Sequence, residues 1–143
     1  MKISEVVTGK GRPGVVTITP DAGVRELLTL LAEHNIGAVV VSADGTSVAG
    51  IVSERDIVRS LHSDPGALDS TVGAIMTATV HSVAPDDSLD DIRRLMTERR
   101  FRHVPVVADG ALTGIISIGD VVKAYIDQVE FEREQLESYV HQT

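Results

Sequence analysis

The chain of 143 residues contains no cysteine and no tryptophan. Without thiols there is no disulfide framework, no thiol nucleophile, no iron–sulfur cluster and no cysteine-based zinc site. The same absence says little about redox compartment, because a chain without thiols persists in either. Aromatics are scarce, two Phe and two Tyr, so aliphatic side chains must fill the core. Basic residues are outnumbered as well: 13 Lys and Arg face 21 Asp and Glu, a formal charge of -8. That is the wrong sign for a protein whose main work is to coat nucleic acid. No run approaches the ~18 apolar residues of a membrane span, and the N-terminal MKISEVVTGKGRPG has no apolar signal core. The expectation is a cytoplasmic protein with neither a membrane nor a nucleic acid as partner. What is present, 43% hydrophobic and 24% charged residues, suits one compact domain or two very small ones. A chain of this size buries roughly 68–70% of its unfolded surface and needs no staple.

The chain repeats itself. Val15-Val-Thr-Ile-Thr-Pro20-Asp21 returns 65 residues later as Val80-His-Ser-Val-Ala-Pro85-Asp86. Ile36-Gly-Ala-Val-Val-Val41 matches Phe101-Arg-His-Val-Pro-Val106. After a one-residue deletion, Gly50-Ile-Val-Ser53-Glu-Arg-Asp56 matches Gly114-Ile-Ile-Ser117-Ile-Gly-Asp120. Even the leaders, Ile3-Ser-Glu-Val-Val7 and Val72-Gly-Ala-Ile-Met76, agree loosely. Repeats of this kind fold as copies of one unit that stack to bury a shared core.

Within each copy the hydrophobic period changes in a fixed order. A short β-branched stretch ends at Pro-Asp, a turn whose aspartate is a good helix cap. Val24, Leu27, Leu28 and Leu31, then Leu89, Ile92, Leu95 and Met96, recur at helical spacing. Two apolar runs joined around Asp-Gly read as a hairpin, and a second helix begins near Asp56 or Asp120. The unit is therefore β-α-β-β-α, and 21 valines suit its sheets. His62-Ser-Asp-Pro-Gly-Ala67 reads as the loop between copies. The expected organisation is a first repeat with its leader at 1–66, a second repeat at 67–127, and a helical extension at 128–143. The fold class is α/β (α+β).

With two Gly-h-h-Ser-x-x-Asp motifs at matching places, where h is apolar, and His103-Val-Pro-Val before the second hairpin, the chain resembles a tandem pair of CBS domains, the cystathionine beta-synthase domain pair or Bateman module. The resemblance covers Met1 to about Ile126. It implies a pseudo-twofold disc with two clefts between the sheets, in which adenosine ligands such as AMP, ADP, ATP or S-adenosylmethionine bind. It also implies a homodimer that signals to a protein partner, in an energy-sensing and regulatory role without catalysis.

The residues themselves fit that chemistry. Ser53 and Asp56, three apart at a strand-to-helix junction, lie where free N–H groups and the helix dipole favour an anion. A hydroxyl there can meet a phosphate, and a carboxylate can accept from ribose hydroxyls. They also have the form of a capping box, and both readings can hold together. The same applies to Ser117 and Asp120. Arg93, Arg94, Arg99, Arg100 and Arg102 crowd into ten residues beside His103. Arg93 and Arg94 can pair with acids along their own helix. Arg102 and His103 enter the sheet just before Pro105, itself expected to line the site, and, by the resemblance, reach across to the cleft of Ser53 and Asp56. There arginine suits bidentate phosphate contact and histidine adds pH-dependent charge.

Copy one has Gly37 and Ala38 at those positions, so the clefts are expected to differ, with Arg55 the available cation for the cleft of Ser117 and Asp120. The resemblance assigns the base to Ile51, Val80 and His81 in one cleft and to Val15, Val16 and Ile115 in the other. Gly9-Lys-Gly-Arg-Pro-Gly14 lacks the Gly-Lys-[Ser/Thr] ending of a phosphate loop and reads as a plain loop. The five histidines show no metal spacing, and no reaction centre stands out. Two other readings stay open: a structural or interaction module with vestigial clefts, and a small hydrolase using Asp56 and His103.

Overall fold

The computed structural model describes residues 1–9 and 15–141. The elements run α1 (Ile3–Gly9), β1 (Thr17–Ile18), α2 (Val24–His34), β2 (Ala38–Val41), β3 (Gly50–Ser53), α3 (Glu54–Ser63), α4 (Val72–Ile75), α5 (Leu89–Arg99), β4 (His103–Ala108), β5 (Ala111–Ser117) and α6 (Ile118–His141). In the first repeat β1 runs parallel to β2, and β2 pairs antiparallel with β3, Val39 opposite Val52. In the second repeat β4 and β5 form the hairpin, Val104 opposite Ile116, and the counterpart of β1 shrinks to one parallel bridge from Val83 to Val106. The β4–β5 turn places Asp109 and Gly110 at φ 52° and 78°, the two left-handed positions that make Asp-Gly a hairpin turn.

Strand β2 is buried along its whole length, with Val39 and Val41 packed in one core with Leu27, Leu31 and Ile57. Helix α2 buries Val24, Leu27 and Leu31, and α5 buries Leu89, Ile92 and Met96, the inward stripe of a 3.6-residue period. Asp21 and Asp86 do not cap these helices. The caps are Gly23, with no side-chain bond, and Ser88, whose side chain accepts from Asp91 N. The turn takes two more residues before helical geometry begins, and Asp87 accepts from Ala84 N at 2.8 Å within it. Both helices end on left-handed residues, Asn35 and Arg100. Between the repeats, α3 runs to Ser63 and a 3-10 turn spans Pro65–Asp69.

The leaders cross over. Ile3 and Val6 of α1 belong to the core of Leu89, Ile92, Val104 and Ile116, in the second repeat. Val72 of α4 belongs to the core of Leu27, Val39 and Val52, in the first. Backbone bonds repeat the exchange reciprocally. Ile3 N donates to Asp87 O and Ser4 N to Pro85 O, both at 2.9 Å, as Val72 N donates to Ala22 O at 2.8 Å and Gly73 N to Pro20 O at 2.9 Å. This reciprocity is the pseudo-twofold axis of the disc. The approach is close: a Cβ on Gly50 would stand 2.8 Å from Thr77 O, so only glycine lets the second leader reach β3.

A turn on the first hairpin joins the repeats from the other side. Asp44 Oδ1 accepts from Thr46 N at 2.9 Å, Ser47 N at 2.8 Å and Ser47 Oγ at 2.8 Å, and Thr46 O in turn accepts from Leu112 N at 2.7 Å. The Ser47 and Thr46 amides hold the Asp44 carboxyl well below the usual carboxylate range. A depressed folded pKa stabilises above the ordinary value, about pH 4, and is lost as pH falls below it. Urea unfolding should therefore show the native chain's stability advantage over Asp44→Asn beginning to fall below about pH 5 and continuing to fall through about pH 3 and lower. An unchanged difference would assign this turn no part in acid stability.

Candidate functional site

Each candidate site is built on a helix start. Ser53 caps α3: its Oγ accepts from Asp56 N at 3.3 Å, and its own N–H donates to Asp56 Oδ2 at 2.9 Å, a complete capping box. Asp56 Oδ1 has one long bond, from Thr77 Oγ1 at 3.4 Å. Ser117 and Asp120 repeat the arrangement on α6, with Ser117 N donating to Asp120 Oδ2 at 2.9 Å and Asp120 N to Ser117 Oγ at 3.1 Å. Capping locks the rotamers and leaves the first turn of each helix facing a cleft.

The first cleft, about 480 Å³, brings together Ile51, Ser53, Asp56, Val80, His81, Arg102 and His103, residues far apart in sequence. Its size lies within the range of small-molecule sites. His81 lies against Phe101, ring centroids 5.1 Å apart and tilted by 35°. Arg55, Arg59, Arg99 and Arg100 join Arg102 around the rim, against the acids Glu54 and Asp56. The second cleft, about 630 Å³, is lined by Ile115, Ser117 and Asp120 and shares Gly37, Ala38 and His103 with the first. Its charged lining among the described residues is Lys123 against Glu5, Asp120 and Asp127. The clefts are thus of opposite electrostatic character, with His103 between them.

Four expectations change. Arg55 lines the cleft of Ser53 and not that of Ser117, because the first turn of α3 carries it on the same side as its own cap. Val16 packs against the first-repeat core, and Val15 lies half-buried beside it. The apolar wall of the second cleft comes instead from Val6, Ile36, Ile115 and Ala124. Pro105 is buried inside β4, where its carbonyl accepts from Val83 N at 3.0 Å. Beyond Gly9, the glycine-rich stretch to Gly14 lies outside the described residues. Arg93 is a surface residue, 3.7 Å from Asp90 and over the Tyr125 ring.

Sequence reasoning passed over Arg59 and Thr77. Arg59 sits four residues after Arg55 and three after Asp56, so helical spacing from the capping box would have found it. Thr77 has no such signal, since the second leader delivers it across the molecule through the pair Ile51 N to Thr77 O at 2.9 Å and Thr77 N to Ile51 O at 2.8 Å.

A duplicated β-α-β-β-α unit with reciprocal leaders and two capped-helix clefts defines a two-repeat module. The family model for the CBS domain matches residues 3–63 and 72–127, and the chain belongs to the CBS-domain family. It is 35% identical to the mitochondrial CBS domain-containing protein CBSX3 of Arabidopsis thaliana, over 96% of this chain and 71% of that protein. The crystal structure of the CBS-domain containing protein ATU1752 from Agrobacterium tumefaciens superimposes with a TM-score of 0.82 at 39% identity, covering 87% of this chain and 99% of that one. The CBS domain pair of protein MJ0100, solved with 5'-methylthioadenosine and S-adenosyl-L-methionine, matches at TM-score 0.78 and 22% identity over 90% of this chain and 98% of that one, a likeness of fold. Among the described residues, no helix is long and apolar enough to cross a membrane.

Proposed function

We propose that this protein is a regulatory module that binds an adenine nucleotide in the cleft of Ser53 and Asp56 and passes its occupancy to a protein partner by shape or association, without catalysis. The observation that carries this reading is the convergence in one cleft of a capped Ser-Asp pair, apolar Ile51 and Val80, and the cations Arg102 and His103. Asp56 Oδ1, with its single long bond, accepts the ribose hydroxyls. Ile51, Val80 and His81 flank the base, and Arg102 and His103 meet phosphate. Ser117, Asp120 and Ile115 offer a nucleoside end in the second cleft. The adenosine ligands of the MJ0100 pair support the same class of ligand.

Thermal unfolding with AMP, ADP, ATP, NAD and S-adenosylmethionine tests the reading. A ligand at 100 times its Kd adds about 2.7 kcal/mol, and no shift at millimolar concentration would favour an interaction module with vestigial clefts. The capping boxes supply that alternative with its observation, since they give Ser53 and Asp56 a structural role whether or not a ligand binds.

Self-association belongs to the same reading. Val58, Val122, Ile126, Val129, Leu136 and Val140 are exposed, and the last five share α6, which continues unbroken to His141. Truncation after Asp127 should shift a homodimer toward monomer in sedimentation velocity at tens of micromolar. A monomeric intact chain under those conditions would remove the dimer from the proposal.

A further inference from the structure

The cleft of Ser53 holds more positive charge than a single phosphate uses. We infer that its ligand carries at least two phosphate groups: a pyrophosphate-containing adenine nucleotide, in preference to AMP, adenosine or S-adenosylmethionine. The inference rests on the adenine-nucleotide reading above and narrows it.

Five exposed arginines line this cleft from two sides, Arg55 and Arg59 one turn apart on α3, and Arg99, Arg100 and Arg102 from the end of α5 and its link to β4. None makes an ion pair with a described carboxylate, although the chain carries a formal charge of -8. One or two guanidinium forks saturate a monophosphate by bidentate contact. Glu54 and Asp56 line the same cleft and offset two of the five charges, so three positive charges remain, and these repel one another unless further phosphate oxygens lie between them. S-adenosylmethionine, with its sulfonium and ammonium, adds to that repulsion.

The fold does not require this surplus. The pseudo-twofold equivalents of Arg55, Arg59, Arg99, Arg100 and Arg102 are Gly119, Lys123, His34, Asn35 and Gly37. Arg100 is the sharpest case. It stands at the left-handed C-cap of α5 with φ 58°, where its equivalent Asn35 has φ 51°. Asparagine suits that conformation and arginine does not. An unfavourable residue held at the rim of a cleft points to a task at that cleft.

Calorimetric titration of the full chain at physiological salt, with adenosine, AMP, ADP, ATP, NAD and inorganic tripolyphosphate, tests the inference. ADP should bind about tenfold tighter than AMP, the gain of roughly one screened charge-assisted bond. Arg59→Ala and Arg100→Asn should each bring the ADP-to-AMP affinity ratio toward one. Arg100→Asn should do so with an unchanged or raised Tm, which separates lost recognition from lost folding. If ATP exceeds NAD, the second phosphate belongs to a terminal polyphosphate chain; if NAD exceeds ATP, it belongs to a dinucleotide bridge, and both results support a pyrophosphate. Equal affinity for AMP and ADP, or variants that weaken both alike, would overturn the inference. Tripolyphosphate binding as tightly as ATP would overturn the adenine reading alone, and binding by none of these compounds would overturn both.

Discussion

Ile3→Ala is expected to destabilise the protein by about 2–5 kcal/mol, as much as truncating an isoleucine in the middle of a core. The position is third from the N-terminus, where truncation is ordinarily tolerated. Yet Ile3 is fully buried, among Leu89, Ile92, Met96 and Ile116 of the second repeat. Removing its outer carbons leaves a cavity that neighbouring β-branched side chains cannot collapse into without leaving their rotamers. Val72→Ala, also fully buried, should open the matching cavity in the first repeat at a smaller cost, since fewer atoms are removed. Denaturant unfolding of both variants measures the effect. A loss below about 0.5 kcal/mol for Ile3→Ala, the range of surface substitutions, would show that α1 detaches in solution and that the second core closes without it.

Nucleotide binding should divide sharply between the two clefts. Arg102→Ala is expected to weaken AMP at its tighter site by about 10- to 150-fold, the equivalent of one charge-assisted hydrogen bond of roughly 1.5–3 kcal/mol. Partial exposure and salt move the effect toward the lower figure. Asp56→Ala should remove the same tight phase by withdrawing the acceptor for the ribose. Asp120→Ala is the matched control, because it also loses a carboxylate that accepts from the N–H of the preceding serine, while acting in the other cleft. Any binding loss common to Asp56→Ala and Asp120→Ala reports the cap, and the excess in Asp56→Ala reports the ligand. Adenosine should discriminate less between the clefts, since both retain Ser and Asp at the helix start. A tight phase that survives Arg102→Ala and vanishes in Asp120→Ala would reassign the phosphate to the second cleft.

Much of the architecture was legible in the residues. Periodicity marked α2 and α5 through Val24, Leu27 and Leu31 and through Leu89, Ile92 and Met96, because a buried helix face must repeat every three or four residues. Asp109-Gly110 announced its hairpin because few other residues accept two consecutive left-handed conformations. Ser53 with Asp56, and Ser117 with Asp120, were visible as helix starts, since a cap is a local bargain between a side chain and the backbone three residues on. What depends on neighbours along the chain can be read along the chain.

The remainder depended on contacts between distant segments. Pro105 is buried within β4 while Arg102, three residues before it and so on the opposite face by alternation, lines a cleft; alternation separates the two but does not say which face meets a ligand. Arg55 joined the first cleft and Val16 the first core only once α3 and β1 had been placed on their sheet. The crossing of the leaders left no local mark. Ile3 and Val72 each begin a short amphipathic helix that would fit either repeat, and each goes to the other because the backbone bonds to Asp87 and Pro85, and to Ala22 and Pro20, are offered there. The composition and the repeat determined that two like units would pack together, since a unit of about 60 residues buries too little surface alone. Which leader completes which core, and which cleft gathers the arginines, was decided only when the halves came together, because those choices rest on packing between residues tens of positions apart.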